Sequence, residues 1–129
     1  MAEKRILLDT NAVIFLTTIG NIIPAGLEKE LNEAELFISG ITEIELFSKA
    51  PLPPNEEESL RTFLSDRIVI IDLSGDVKRE AIALRRAGSL KLPDCIIAAT
   101  SIALNAVLLT NDDHLLKLSW PGLRKQQII

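Results

Sequence analysis

The segment IVIIDL, residues 68–73, places five apolar side chains in six positions without alternation. A strand with one face in water alternates apolar and polar side chains; a strand covered on both faces does not. Lys4–Leu8 (KRILL), Leu36–Ser39 (LFIS) and Ala106–Thr110 (AVLLT) read the same way, and each is followed by a stretch of helical character. Continuous apolar strands alternating with helices require helices on both sheet faces. The chain is therefore expected to be α/β, a three-layer α/β/α domain with a mainly parallel central sheet.

The helices carry their own boundary marks. Ala12–Gly20 is expected to be a short helix capped by Thr10 or Asn11 and stopped by Gly20. Pro24 opens a second, PAGLEKELNEAE, and Gly40 turns the chain into a third, Thr42–Ala50, ended by Pro51. Pro51–Asn55 reads as a loop, too short to link domains. Glu56–Asp66 has acids in its first turn, where the helix dipole favours them. Asp76–Gly88 ends on glycine, and Pro93–Asn105 is almost wholly apolar, so it should be central. A short helix near DHLLKL and an edge strand within LRKQQII complete the reading.

With 129 residues, 47% hydrophobic and 25% charged, the chain suits one domain spanning 1–129. No apolar run approaches the ~20 residues of a membrane span, and MAEKR lacks a signal-peptide core, so a cytoplasmic protein with no membrane partner is expected. The single cysteine, Cys95, excludes an internal disulfide framework and a multi-thiolate zinc site. Metal chemistry would have to use oxygen ligands. A net charge of −4 argues against holding nucleic acid by bulk basic charge, although bound cations would offset clustered carboxylates. Aromatics are 4% with no tyrosine; Phe15, Phe37, Phe47, Phe63 and Trp120 are expected to fill the core.

In open parallel sheets, ligands bind beyond the carboxyl ends of strands where the strand order reverses. Asp9 follows the first strand, and TNDD (Thr110–Asp113) follows the fourth. If those strands are neighbours, Asp9 and Asp112 share a cleft. Glu45 in the first turn after the second strand, and Asp94 opening the apolar helix, belong to the same edge. Four converging carboxylates repel one another unless protonated or bridged by cations. Hard divalent ions such as Mg²⁺ take oxygen ligands, bind phosphates and activate water. Thr110 or Asn11 could position that water or hold a carboxylate by hydrogen bonding. Each acid also has an ordinary local reading: Asp9 as a helix cap, Glu45 as partner of Thr42 in a capping box, Asp94 at a helix dipole, TNDD as a polar turn.

LLDTNAVIF, ITEIEL, LPDCIIAATSIA and LLTNDDHLLKL resemble, in order and spacing, the four acidic motifs of the PIN-domain family, and the short chain is similar to the VapC-type toxins of type II toxin–antitoxin systems. The resemblance covers essentially the whole chain. It implies a PIN-like fold and a Mg²⁺- or Mn²⁺-dependent endoribonuclease, usually dimeric, inhibited by an antitoxin that inserts a peptide near the cleft. Carried over by position, the metal ligands are Asp9, Glu45, Asp94 and Asp112, with Thr110 as the assisting hydroxyl. Asp112 is preferred to the adjacent Asp113 because the family pattern has threonine two residues before the acid; the sequence leaves that choice open.

Asn11, Arg85, Arg86 and Lys91 are candidate RNA contacts; a solvated helix end explains the three cations equally well. His114, the sole histidine, cannot form a histidine pair within one chain, and Cys95 has no histidine nearby to activate it. Ile19, Ile22, Ile23 and Leu27 form either an apolar docking patch or core. A phosphorelay receiver is the rival from another class, with Asp9, Asp72 as acceptor and Thr110 imitating its pocket. Thr10 and Asn11 stand where a receiver has a second acid, and no Lys-Pro follows a fifth strand. A catalytically silent RNA- or protein-binding domain is the third reading.

Overall fold

The computed structural model describes residues 4–18, 20–48 and 52–129. In chain order it contains β1 (Arg5–Leu8), α1 (Thr10–Thr17), α2 (Ala25–Glu33), β2 (Glu35–Ser39), α3 (Gly40–Ser48), α4 (Pro54–Arg67), β3 (Ile68–Ile71), α5 (Gly75–Ala87), α6 (Leu92–Ala103), β4 (Val107–Leu109), α7 (Asp113–Lys117) and β5 (Arg124–Gln126). The sheet order is β3-β2-β1-β4-β5, and every pairing is parallel. From β1 the chain builds outward through β2 to β3, then crosses back to place β4 on the other side of β1. The order reverses between β1 and β4, with Leu8 in register with Leu109.

Two apolar cores explain the unbroken strands. Ile6, Leu8, Leu36, Ile38 and Leu109 face the side packed by α1, α2, α3 and α4. Leu7, Phe37 and Leu108 face the opposite side, under α5, α6 and α7. Successive residues thus point into different cores, and both faces are lined mainly by apolar side chains. Helix α6 is central, burying Cys95, Ile97, Ala98, Ala99, Thr100 and Ser101, and it packs chiefly on α5. Its small side chains let the helix approach the sheet closely.

Several boundaries differ from the sequence-based expectation. Helix α1 starts at Thr10 with Asp9 as its cap, and it stops at Thr17 rather than Gly20. The hydroxyls of Thr17 and Thr18 donate to Val13 O at 2.8 Å and Ile14 O at 2.6 Å, and Asn21 Nδ2 donates to Phe15 O at 3.0 Å, so the last carbonyls are satisfied early. Helix α3 begins directly at Gly40, which moves Glu45 into its second turn and leaves Thr42 inside the helix. The expected loop at 51–55 shortens, because α4 begins at Pro54, and Pro51, like Ala50 and Ile19, lies outside the described residues. Gly88 ends α5 as expected, at φ 85° in the left-handed region that suits glycine. The most strand-like segment, IVIIDL, forms an edge strand of only four residues, with Val69 about half exposed. Of the aromatics, Phe37 is buried, whereas Phe15, Phe47, Phe63 and Trp120 pack around the core margins. Leu27 is core and Ile22 projects into solvent, so they form no shared patch. Among the described residues, no helix is long and apolar enough to cross a membrane.

Candidate active site

The reversal between β1 and β4 decides what Asp9 meets. Its backbone N–H donates to Leu109 O at 3.3 Å, continuing the β1–β4 pairing past the strand ends and bringing Asp9 beside Thr110. Asp9 Oδ1 accepts from Ala12 N at 2.7 Å, which is the helix cap, and Oδ2 accepts from the Thr110 hydroxyl. The cap reading of Asp9 holds. The capped carboxylate is almost fully buried and lines the cleft.

Thr110 ties the fourth motif to the first. With its one proton directed at Asp9, its oxygen accepts from Asp112 N at 2.9 Å. Asp112 caps α7 through Oδ1, which accepts from Leu115 N at 3.0 Å, and so leaves Oδ2 uncommitted. Asp113 is exposed in the first turn of α7. Thr110 therefore holds carboxylates in place, and its proton is not free to orient a water.

Asp9, Thr10, Asn11, Glu45, Asp94, Ile97 and Asp112 line one cavity of about 100 Å³. The four acids come from the end of β1, the middle of α3, the start of α6 and the turn after β4. Burial pushes the Asp9 carboxyl above its ordinary value, with Asp112 and Glu45 adding to the rise while the Thr110 and Ala12 hydrogen bonds oppose it. Burial likewise raises Asp94, followed by the charges of Asp112, Glu45 and Asp9, against a smaller pull from Lys91. Among the described residues, no cationic side chain is part of the cavity wall. The negative charge there is undercompensated.

An oxygen-only, acidic donor set of this kind fits a hard divalent cation. Among the described residues, no three acidic, histidine or cysteine side chains are grouped so that together they could hold a metal ion. Mg²⁺ does not need such a group, since it is commonly held by one or two carboxylates and keeps several waters.

The remaining candidates separate. Asn11 is exposed on the cavity wall. Lys91 occupies the N-cap position of α6 without a side-chain capping bond, three residues before Asp94. Arg85 donates to Leu90 O at 2.9 Å and holds the α5–α6 turn, and both Arg85 and Arg86 border an apolar groove away from the acids. His114 is exposed, and Cys95 is buried core. Asp72 lies exposed after edge strand β3, two strands from β1, so it cannot share the acid pocket as a receiver's acceptor must. The capping box fails as well: Glu45 does not turn back to Thr42 but accepts from the Thr10 hydroxyl at 2.6 Å. Nothing in local spacing links Thr10 to a glutamate 35 residues away. Ile97, by contrast, stands one helical turn after Asp94 and was legible as its neighbour.

A parallel α/β/α fold with four carboxylates gathered at its topological switch point defines an acidic class of site. The chain belongs to the PIN domain family, which it matches over residues 6–121. It is similar to VapBC2 from Rickettsia felis, solved bound to a DNA fragment from its promoter: 26% identity, TM-score 0.76, covering 95% of this chain and 98% of that one. A toxin–antitoxin complex from Klebsiella pneumoniae shares 29% identity, with TM-score 0.66 and coverage of 91% and 93%. DNA-bound VapBC from Salmonella typhimurium aligns at TM-score 0.78 over 98% and 99% of the two chains; at 22% identity it bears on the fold alone. No curated protein matches the chain.

Proposed function

We propose that this chain is a VapC-like toxin, a single domain over residues 1–129 acting in the cytoplasm as a Mg²⁺- or Mn²⁺-dependent endoribonuclease. The observation that carries the proposal is the convergence of Asp9, Glu45, Asp94 and Asp112 on one cavity. Their mutual repulsion would be relieved by a bound divalent ion, and Asp9 and Asp94 are the two whose carboxyls burial and neighbouring carboxylates push up. When bound, the ion supplies positive charge for an RNA phosphate and a water acidic enough to attack phosphorus. The chain's own residues hold that geometry: Ala12 and Thr110 fix Asp9, Thr110 fixes Asp112, and Thr10 fixes Glu45. Asn11 on the cavity wall and Lys91 before Asp94 are the proposed RNA contacts. Arg86 lies farther from the acids, and Arg85 is engaged by Leu90.

A cognate antitoxin is the proposed partner, by likeness to the toxin–antitoxin complexes. A homodimer belongs to the same proposal, with Leu73, Ile82 and Leu92, each about half exposed around one groove, as apolar surface open for it.

The test is cleavage of structured and single-stranded RNAs with Mg²⁺ or Mn²⁺ against EDTA, beside Asp94→Asn purified identically. Metal-dependent cutting that the variant loses is the expected result. Equal cutting by both proteins would mark a contaminant. No cutting of any RNA by a metal-bound wild type would favour a silent binding domain.

A further inference from the structure

We propose that Thr10, backed by Thr42, is the positioning residue that holds Glu45 at the cavity, an inference that rests on the metal reading above. The Thr10 hydroxyl stands 2.6 Å from Glu45 Oε1 and 3.3 Å from the Thr42 hydroxyl. A hydroxyl has one proton, so Thr10 donates to the carboxylate and Thr42 donates to Thr10. The relay runs from inside the fold outward: Thr42 is fully buried, Thr10 is 8% exposed, and Glu45 is half-buried at the cavity mouth. Among the described residues, Thr10 is the only hydrogen-bond donor to the Glu45 carboxylate.

Electrostatics explain why such a latch is needed. Asp9, Asp94 and Asp112 are fixed by short side chains on or beside strand and helix ends, and two of them cap helices. Glu45 has a longer, freer side chain in the middle of α3, and like charges at Asp9 and Asp94 push it away. Without an inward hydrogen bond its carboxylate would turn to solvent in the metal-free protein. Thr10 supplies that bond because it is the first residue of α1, held by the same turn that aims Asp9. The turn that carries Asp9 thereby also holds a carboxylate from a second motif.

Mn²⁺ affinity, measured by calorimetry or by electron paramagnetic resonance in the absence of RNA, tests the latch independently of catalysis. Thr10→Val keeps the side-chain shape and removes the hydroxyl; about tenfold weaker Mn²⁺ binding is expected, with Thr10→Ser close to wild type. Thr42→Val, in a fully buried position, gives a smaller loss in the same direction. In a Glu45→Ala background, Thr10→Val should change Mn²⁺ affinity no further. Wild-type affinity in Thr10→Val, equal loss in Thr10→Ser, or a persisting effect without Glu45 would each overturn the latch while leaving the metal site intact. A wild-type protein that does not bind Mn²⁺ overturns both the latch and the metal reading.

Discussion

Both carboxylate oxygens of Asp9 are engaged within the protein, one by the N–H of Ala12 and the other by Thr110, although the residue is almost fully buried among carboxylates. These two bonds lower the cost of keeping a charge there, and they make Thr110 the most sensitive polar residue of the site. Thr110→Val removes the donor to Asp9 and the acceptor for Asp112 N–H at once. Leaving buried groups unpaired costs about 1–3 kcal/mol each, so a destabilisation of about 2 kcal/mol or more is expected in urea unfolding. A neutral result would mean that water replaces the hydroxyl. Asp9 itself could be read from the sequence as either a cap or a ligand; that it caps with one oxygen and faces Thr110 with the other required knowing that β4 lies beside β1.

At the scale of elements, the loop after β4 is suspended from the C-terminus. Thr110 N donates to Gln126 O at 3.0 Å, and Asn111 Oδ1 accepts from Ile128 N at 2.9 Å and Ile129 N at 3.4 Å. Ile128 is buried against the core that includes Leu109. The short strand β5 and the tail behind it therefore brace the turn that carries Thr110 and Asp112. Asn111→Ala should speed hydrogen exchange at the Ile128 and Ile129 amides and cost about 1 kcal/mol. Unchanged exchange would show that burial of Ile128 alone holds the tail. The sequence suggested an edge strand in LRKQQII but no role for Asn111, since a side chain that grips a segment 17 residues away has no periodic signature.

For the whole molecule, the four-acid cleft links folding to pH and, on the function proposed above, to metal. Asp9 and Asp94 bind protons more tightly folded than their ordinary value of 3.8. A raised carboxyl contributes stability that is fully present below the unfolded pKa and is lost as pH rises through the folded one. The metal-free protein should therefore lose their contribution as pH climbs from about 4 toward neutrality. Asp94→Asn should flatten that decline and raise the metal-free melting temperature at neutral pH. Mn²⁺ should raise the wild-type melting temperature there and act less on the variant, by linkage to binding. Thermal unfolding in EDTA and in Mn²⁺ across this range checks both; a wild-type melting temperature indifferent to pH and to metal would contradict the coupling.

The sequence by itself determined the class of fold, because strands apolar on both faces that alternate with helices are covered by those helices on both sides. It also named four acids beyond strand and helix ends, because local patterning places carboxylates where chain direction changes. It left local detail open: IVIIDL is a strand as expected but carries no mark of its edge position, and Glu45, expected in the first turn of its helix, lies in the second. Only the tertiary structure decided the strand order that sets β4 against β1, the choice of Asp112 over Asp113 at the cavity, and the contact of Thr10 with Glu45. Hydrophobic patterning is short-range and periodic, so it is written along the chain. The pairing of groups 35 or 101 residues apart depends on how elements cross, which no local pattern encodes.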